Sequence, residues 1–320
     1  MRRRMQGMTL VELMIAITLG LLVMGAAIGI FISNRQVYRA AENLNRVQEG
    51  GRVSFELMAR DIREAAGNPC VNNVPLVNVV NGGTGNWWSD MNASTALRGF
   101  DGGTVFPGGS FGSGTAQRLA GTSGLQLLSG DDNVSTISAH NVGSALFTVN
   151  TAGHGFTAGD LAIACNAQQA AVFQVSSVSG MDIGHGTGGA PGNSTINLSL
   201  DPANPDSYEY AAPNSVMTRL HATRWFIANN ANGIPSLYQT RLGGATVTTE
   251  EVVEGVTAMN LEYLLRGGTN YVGAAAVGNW ADVISVRATL ALRSPENIGT
   301  NGNPITRQMV QVASLRNRNP

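Results

Sequence analysis

The chain has 320 residues, of which 43% are hydrophobic and 13% are charged, a charged share about half of the usual one. Forty residues are glycine, where about 7% is ordinary, and no Gly-X-Y repeat accompanies them. This balance excludes an acidic disordered chain and a collagen. It favours a folded body with many turns and long loops.

Charge is divided unevenly along the chain. Residues 1–66 hold nine arginines and six acidic residues, whereas residues 67–320 hold eleven arginines and fifteen acidic residues. Because nucleic-acid affinity comes mostly from phosphate neutralisation, the mildly acidic body predicts no nucleic-acid partner.

Residues 8–32 form an apolar run of twenty-five residues that contains one charge, Glu12. As a helix this run would be about 37 Å long, enough to cross the ~30 Å hydrocarbon layer. Arg2, Arg3 and Arg4 precede it, which predicts a cytoplasmic amino terminus and an exported remainder. A secretory signal peptide and a plain signal anchor are the alternatives, but a signal peptide has a shorter, uncharged apolar region.

Glu12 distinguishes these alternatives, because a carboxylate in the bilayer costs about 2.5–3.5 kcal/mol and needs a partner or a function. The string from Gly7 to Leu13, GMTLVEL, resembles the prepilin processing motif of type IV pilin-like proteins. The resemblance implies that prepilin peptidase cuts between Gly7 and Met8 and that Met8 is N-methylated. It also implies that Glu12 neutralises the terminal amine of a neighbouring subunit in the assembling filament. The first mature residue in this family is most often Phe, and here it is Met8.

Residues 33–67 continue the helix in amphipathic form and end at Gly67, Asn68 and Pro69. Charges of alternating sign at three- and four-residue spacing support an exposed helix, and Gly50-Gly51 is its weakest point and a candidate bend. One face carries the apolar stripe Val37, Ala41, Leu44, Gln48, Gly51, Phe55, Met58, Ile62 and Ala65.

The end of this helix is similar to a narrower group, the PilW-type minor pilins. The shared run begins at Gly51-Arg52, continues through Phe55 and Arg60-Asp61-Ile62-Arg63, and ends at Cys70. Looser similarity continues at 160–175, 254–263 and 282–287.

Residues 68–320 are predicted to form a β-rich globular domain. Together with the long amino-terminal helix, this gives an α+β, pilin-like fold class. A Gly-rich loop region at 82–118 contains Trp87 and Trp88, whose role the sequence leaves open. Predicted strands cover 124–129, 145–150, 160–165, 171–178, 195–200, 219–228, 236–242, 253–266, 283–293 and 305–314, with an Asn232-Gly233 hairpin turn.

Catalytic and metal-binding patterns were sought and not found. The four histidines (140, 154, 185 and 221) are dispersed, and there is no His-Glu-x-x-His, Cys-x-x-Cys or nucleophile elbow. Asp131-Asp132-Asn133 is more typical of a solvated turn than of a calcium site. We therefore expect no enzyme activity, no cofactor and no metal.

Cys70 and Cys165 are the two cysteines of the chain. Both follow the apolar segment and are expected on the exported side, where an oxidising periplasm permits bridging. With the family resemblance, this predicts a disulfide that ties the long helix to the β-rich body, the alternative being two buried thiols.

The resemblance implies a minor pilin that acts in type IV pilus biogenesis, within a complex of minor pilins that primes assembly or sits at the tip. The implied partners are prepilin peptidase, other minor pilins, the major pilin and the inner membrane of a Gram-negative bacterium. The body would lie in the periplasm and later in the pilus. Two alternatives remain: a minor pseudopilin of a type II secretion system, and a tip module that binds a ligand for adhesion or DNA uptake.

Overall fold

The computed structural model describes residues 8–70, 74–82, 86–92, 94–201, 208–244, 246–299 and 302–318. One long helix, α1 (Leu10–Glu64), precedes a body built from strands. The expected α+β organisation is therefore confirmed. Gly7 and the other leader residues lie outside the described residues.

The strands of the described ranges form two sheets. The first contains β1 (Leu76–Asn78), β2 (Leu97–Phe100), β3 (Gly124–Asn141), β4 (Leu146–Val149), β5 (Leu161–Cys165), β6 (Ala170–Gln174), β7 (Ser177–Ser179), β8 (Asp182–Gly184), β9 (Val216–Asn229), β10 (Pro235–Gly243) and β11 (Thr246–Glu254). The second contains β12 (Val256–Leu265), β13 (Tyr271–Val272), β14 (Val283–Arg293) and β15 (Thr306–Ser314).

Strand β9 organises the first sheet, because it pairs with β3, β5 and β10. The main path runs β1-β6-β5-β9-β3-β4-β8-β7, with β2 beside β3 and β11 beside β10. The second sheet has the order β13-β12-β14-β15, so β15 is an edge strand.

By its contacts the chain divides into two units, Met1–Glu49 with Arg293–Thr306, and Gly50–Leu292 with Arg307–Pro320. In the first unit, Arg39 donates to Glu296 at 2.8 Å. Asn43 lies nearly buried beside this pair. The second unit holds the buried hydrophobic clusters and both sheets, apart from Arg293 of β14 and Thr306 of β15.

Within the second unit, the end of α1 packs through Phe55, Met58 and Ile62, which are at most 3% exposed. The predicted apolar stripe is buried from Gly51 to Ile62, whereas Val37 at its start is 65% exposed.

Gly50 and Gly51 lie within the continuous helix α1. A Cβ on Gly51 would collide with the Sδ atom of Met309. Glycine at this position therefore leaves room for the Met309 side chain of β15 against the helix, a role that the expectation of a bend did not include.

The described parts of the Gly-rich region 82–118 are folded onto the first sheet. It contributes strand β2, which pairs with β3. Trp87 and Trp88 are each 9% exposed and belong to an apolar cluster with Leu128 and Ile163. Their role in the described structure is packing.

Three strand predictions are wrong. The single predicted strand 171–178 is divided between β6 and β7. Residues 195–200 form no strand, because the side chains of Thr195 and Asn197 accept hydrogen bonds from backbone N–H groups two residues ahead, a pattern that competes with sheet pairing. The single predicted strand 253–266 is two strands, separated at Gly255, whose φ is +83°. Such a value favours glycine and permits the sharp reversal.

The predicted hairpin between β9 and β10 is confirmed, with a longer loop than a two-residue turn. Asn229 pairs with Pro235, and the Asn230 side chain accepts hydrogen bonds from the N–H groups of Asn232 and Ile234. A five-residue loop therefore replaces the predicted tight turn.

Candidate processing and assembly site

Helix α1 begins with a capping box. The Thr9 hydroxyl accepts a hydrogen bond from the Glu12 N–H at 3.3 Å, and the Thr9 N–H donates to Glu12 Oε2 at 3.1 Å. These bonds satisfy backbone donors that a helix start leaves without partners. The pattern Thr-x-x-Glu before an apolar run was visible in the sequence, but the capping role of Thr9 was missed.

The second Glu12 oxygen remains available. Both Thr9 donors, the backbone N–H and the hydroxyl, reach Oε2 at 3.1 Å. Oε1 has no hydrogen-bond partner within the described part of the chain. Glu12 can therefore cap its own helix and still offer one oxygen to a cation from outside the chain.

Met8 lies directly before this capping box and is 67% exposed. Gly7, its expected partner at the cleavage site, lies outside the described residues. The structure therefore places Met8 and Glu12 within one helical turn of each other but does not describe the bond expected to be cut.

The apolar half of α1 is exposed along its length. Leu10, Leu22 and Phe31 are 67–74% exposed, and α1 is long and apolar enough to cross a membrane. In water this apolar surface would have to be covered by other protein chains, whereas a bilayer solvates it directly.

The predicted disulfide is confirmed. Cys70 and Cys165 are bonded, with their Cα atoms 6.0 Å apart. Cys165 is fully buried in β5, and Cys70 packs against the cluster that contains Trp87 and Trp88. The bond thus joins the segment after α1 to the centre of the first sheet.

Two histidines that are distant in sequence meet in the core. His140 Nε2 and His185 Nε2 are 3.1 Å apart, and His140 Nδ1 accepts a hydrogen bond from the Tyr210 N–H at 3.2 Å. His140 must then carry its proton on Nε2 and donate to His185. The proton of His185 lies on Nδ1, which is buried without a partner among the described residues.

Burial keeps this histidine pair neutral. It lowers the pKa of His140 to about 4. Burial, followed by the nearby His140, lowers the pKa of His185 to about 3. The two rings pack against Phe147 and Phe173 in one buried cluster.

Asp131-Asp132-Asn133 lies within β3, where the pairing of this strand with β9 shifts register between Gly130 and Val134. Asp131 pairs with Arg219 at 3.1 Å, and Asp132 with Arg60 at 2.9 Å. Within the described ranges, no three His, Cys, Asp or Glu side chains are grouped so as to hold a metal ion.

Comparison with protein families gave two matches. Residues 2–28 match the prokaryotic N-terminal methylation motif, and residues 224–318 match type IV pilus-assembly protein W. Together these are the matches of a PilW-type type IV pilin. A comparison with curated proteins gave no match.

The two matches fall on different parts of the chain. The methylation motif covers the capping box and much of the apolar half of α1, and it implies processing by prepilin peptidase and assembly with other pilins. The PilW match runs from β9 to the end of β15 and includes the similar stretches at 254–263 and 282–287. It does not include the run from Gly51 to Cys70. The matched families are structural components of pili rather than enzymes.

Proposed function

We propose that this pilin is a minor pilin that helps to start type IV pilus assembly, as a structural component of a priming or tip complex. The observation that carries the proposal is a capped, exposed apolar helix directly after the processing motif, joined to a body with the PilW match. A helix with this much exposed apolar surface needs a bilayer first and a bundle of similar helices afterwards.

Processing creates the charge that assembly uses. Prepilin peptidase cuts after Gly7 at the cytoplasmic face, and the methylated amine of Met8 becomes the new terminus. In the growing pilus, Glu12 Oε1 accepts a hydrogen bond from the amine of an adjacent subunit, because this pairing offsets the cost of both charges in an apolar surrounding. The capping bonds from Thr9 hold the carboxylate in place for this contact.

The segments have separate tasks in this proposal. Residues 1–7 are the leader, 8–32 cross the inner membrane once, 33–67 extend the helix into the periplasm, and 68–320 form the periplasmic body. The disulfide fits this orientation, since an oxidising compartment maintains it.

Gene deletion with complementation tests the proposal. Loss of the gene should remove most surface pili, and the wild-type chain should restore them, whereas the Glu12→Ala variant should not. Secretion of a type II substrate is measured in the same strains. Normal pili with failed secretion would refute the pilus role and favour the pseudopilin alternative.

A further inference from the structure

One edge of the second sheet is open. Strand β15 pairs with β14, and no other strand pairs with it in the described ranges. Seven of its nine residues are exposed. Val310 and Val312 are 57% and 51% exposed. A long edge strand with exposed apolar side chains is a template on which another strand can pair.

The register of β15 shows which backbone groups face outward. The Leu315 N–H donates to the Ile284 carbonyl at 3.0 Å, and the Ser294 N–H donates to the Ile305 carbonyl at 2.8 Å. Both bonds fit one antiparallel register without a bulge. In this register the backbone N–H and C=O groups of odd-numbered β15 residues point toward β14. Because the backbone groups of successive residues point to opposite sides, those of Gln308, Val310 and Val312 point to the open edge.

The helix-facing side of β15 is already filled. Phe55, Met58 and Ile62 of α1 and Val286 and Ala288 of β14 are each at most 4% exposed, and the space left between them and β15 residues 311–313 is too small for a side chain. An incoming strand would therefore gain its affinity from backbone hydrogen bonds along the edge, with alternate side chains beside the exposed Val310 and Val312.

The other long exposed edge strand is protected. Strand β11 carries Glu250, Glu251 and Glu254, and charges on an edge discourage pairing. Strand β15 carries no carboxylate, and residues 297–320 contain three arginines and no acidic residue. Two of these, Arg307 and Arg316, are exposed beside the edge.

We propose that an extended segment of another pilin subunit pairs with the open edge of β15 and lays apolar side chains beside Val310 and Val312. The segment has apolar side chains at every second position and a carboxylate near one end, which complements Arg307 or Arg316. This proposal rests on the proposed pilus function, because that function supplies the partner class.

Photo-crosslinking in piliated cells tests the pairing. Benzoylphenylalanine is placed at Gln308 of the full chain, and adducts are identified by mass spectrometry. The expected adduct joins this chain to an extended, carboxylate-bearing segment of a different pilin.

Two variants at one position separate the backbone bond from the side chain. Val310→Pro removes an N–H that points away from β14, so the body should fold with its disulfide intact. It should reduce the adduct at least tenfold. Val310→Thr keeps the N–H and should retain the adduct.

The outcomes are distinct. Normal piliation with no adduct at Gln308, or an adduct that survives Val310→Pro, overturns the edge pairing and leaves the pilus function standing. An adduct with a second copy of this chain overturns the stated occupant. If deletion of the gene leaves piliation unchanged, the pilus function fails, and the proposed occupant fails with it.

Discussion

The buried histidine pair should make the second unit unstable in acid. His140 is 5% exposed and His185 is fully buried. Their pKa values of about 4 and about 3 lie below the ordinary value of 6.5. Below pH 6.5 the unfolded chain binds protons at both imidazoles, whereas the folded chain keeps both neutral. Stability is therefore fully present above pH 6.5 and falls as the pH decreases towards 4.

The size of the effect follows from these shifts. Each pH unit in this window costs about 1.4 kcal/mol per histidine, which amounts to about 3 kcal/mol for each between pH 6.5 and pH 4. Burial is the cause of the lowered pKa. Protonation of His140 Nδ1 would also remove the hydrogen bond that this nitrogen accepts from the Tyr210 N–H.

Urea unfolding of the full chain in detergent, at pH 7.5, 6.5, 5.5 and 4.5, measures this dependence through the fluorescence of its four tryptophans, of which Trp225 is fully buried. The matched control is His140→Asn/His185→Leu, in which the Asn side chain can still accept the Tyr210 hydrogen bond. The control should lose most of the slope below pH 6.5. Burial raises the pKa of Asp61, and this shift makes the folded state relatively more stable as the pH falls. It is present in both the wild-type chain and the control, so it does not affect their comparison. Equal slopes in the two proteins would refute the reasoning.

Three further predictions concern processing, assembly and stability. Replacing Gly7 with Val should leave the leader attached, so mass spectrometry should find no mature chain beginning at methylated Met8; a wild-type chain that begins elsewhere would contradict the processing proposal. Glu12→Ala should enter the membrane at least as well as wild type, since a charge is removed, but it should be missing from sheared pili, and normal incorporation would show that the charge pairing is dispensable. Cys70→Ala/Cys165→Ala should lower the free energy of unfolding by about 4–5 kcal/mol in the chain-entropy model, and a loss below about 1 kcal/mol in urea titrations would contradict that origin of stability.

The sequence predicted the long helix and the regularly alternating strands well, and it predicted the local turns poorly. The apolar run and the charge alternation gave α1 nearly to the residue, and strict alternation gave β14. By contrast, Thr195 and Asn197 form side-chain turns in an apolar-looking segment, and Gly255 divides one predicted strand into two. Such choices depend on local hydrogen bonds and on φ, which composition and periodicity do not report.

Some residues of the candidate site could be predicted from the sequence and others could not, for a similar reason. Glu12 and the cysteines stood out because their residue types were unusual in their surroundings. The capping bond of Thr9 needed only local geometry, and the Thr-x-x-Glu pattern was already sufficient to expect it. The meeting of His140 and His185 required the pairing of β3, β4 and β8, which no local pattern contains.

The disulfide also determines how the pilin would respond to tension. Cys70 and Cys165 are 95 residues apart, and an extended chain of that length measures about 320 Å. A load applied along α1 would pass from Cys70 directly into buried strand β5, so the Gly-rich region and strands β1–β4 would not lie on the load path. The oxidised molecule should therefore yield about 320 Å less length than the reduced one when single molecules are pulled from α1. Equal extensions would show that the bond does not carry the load.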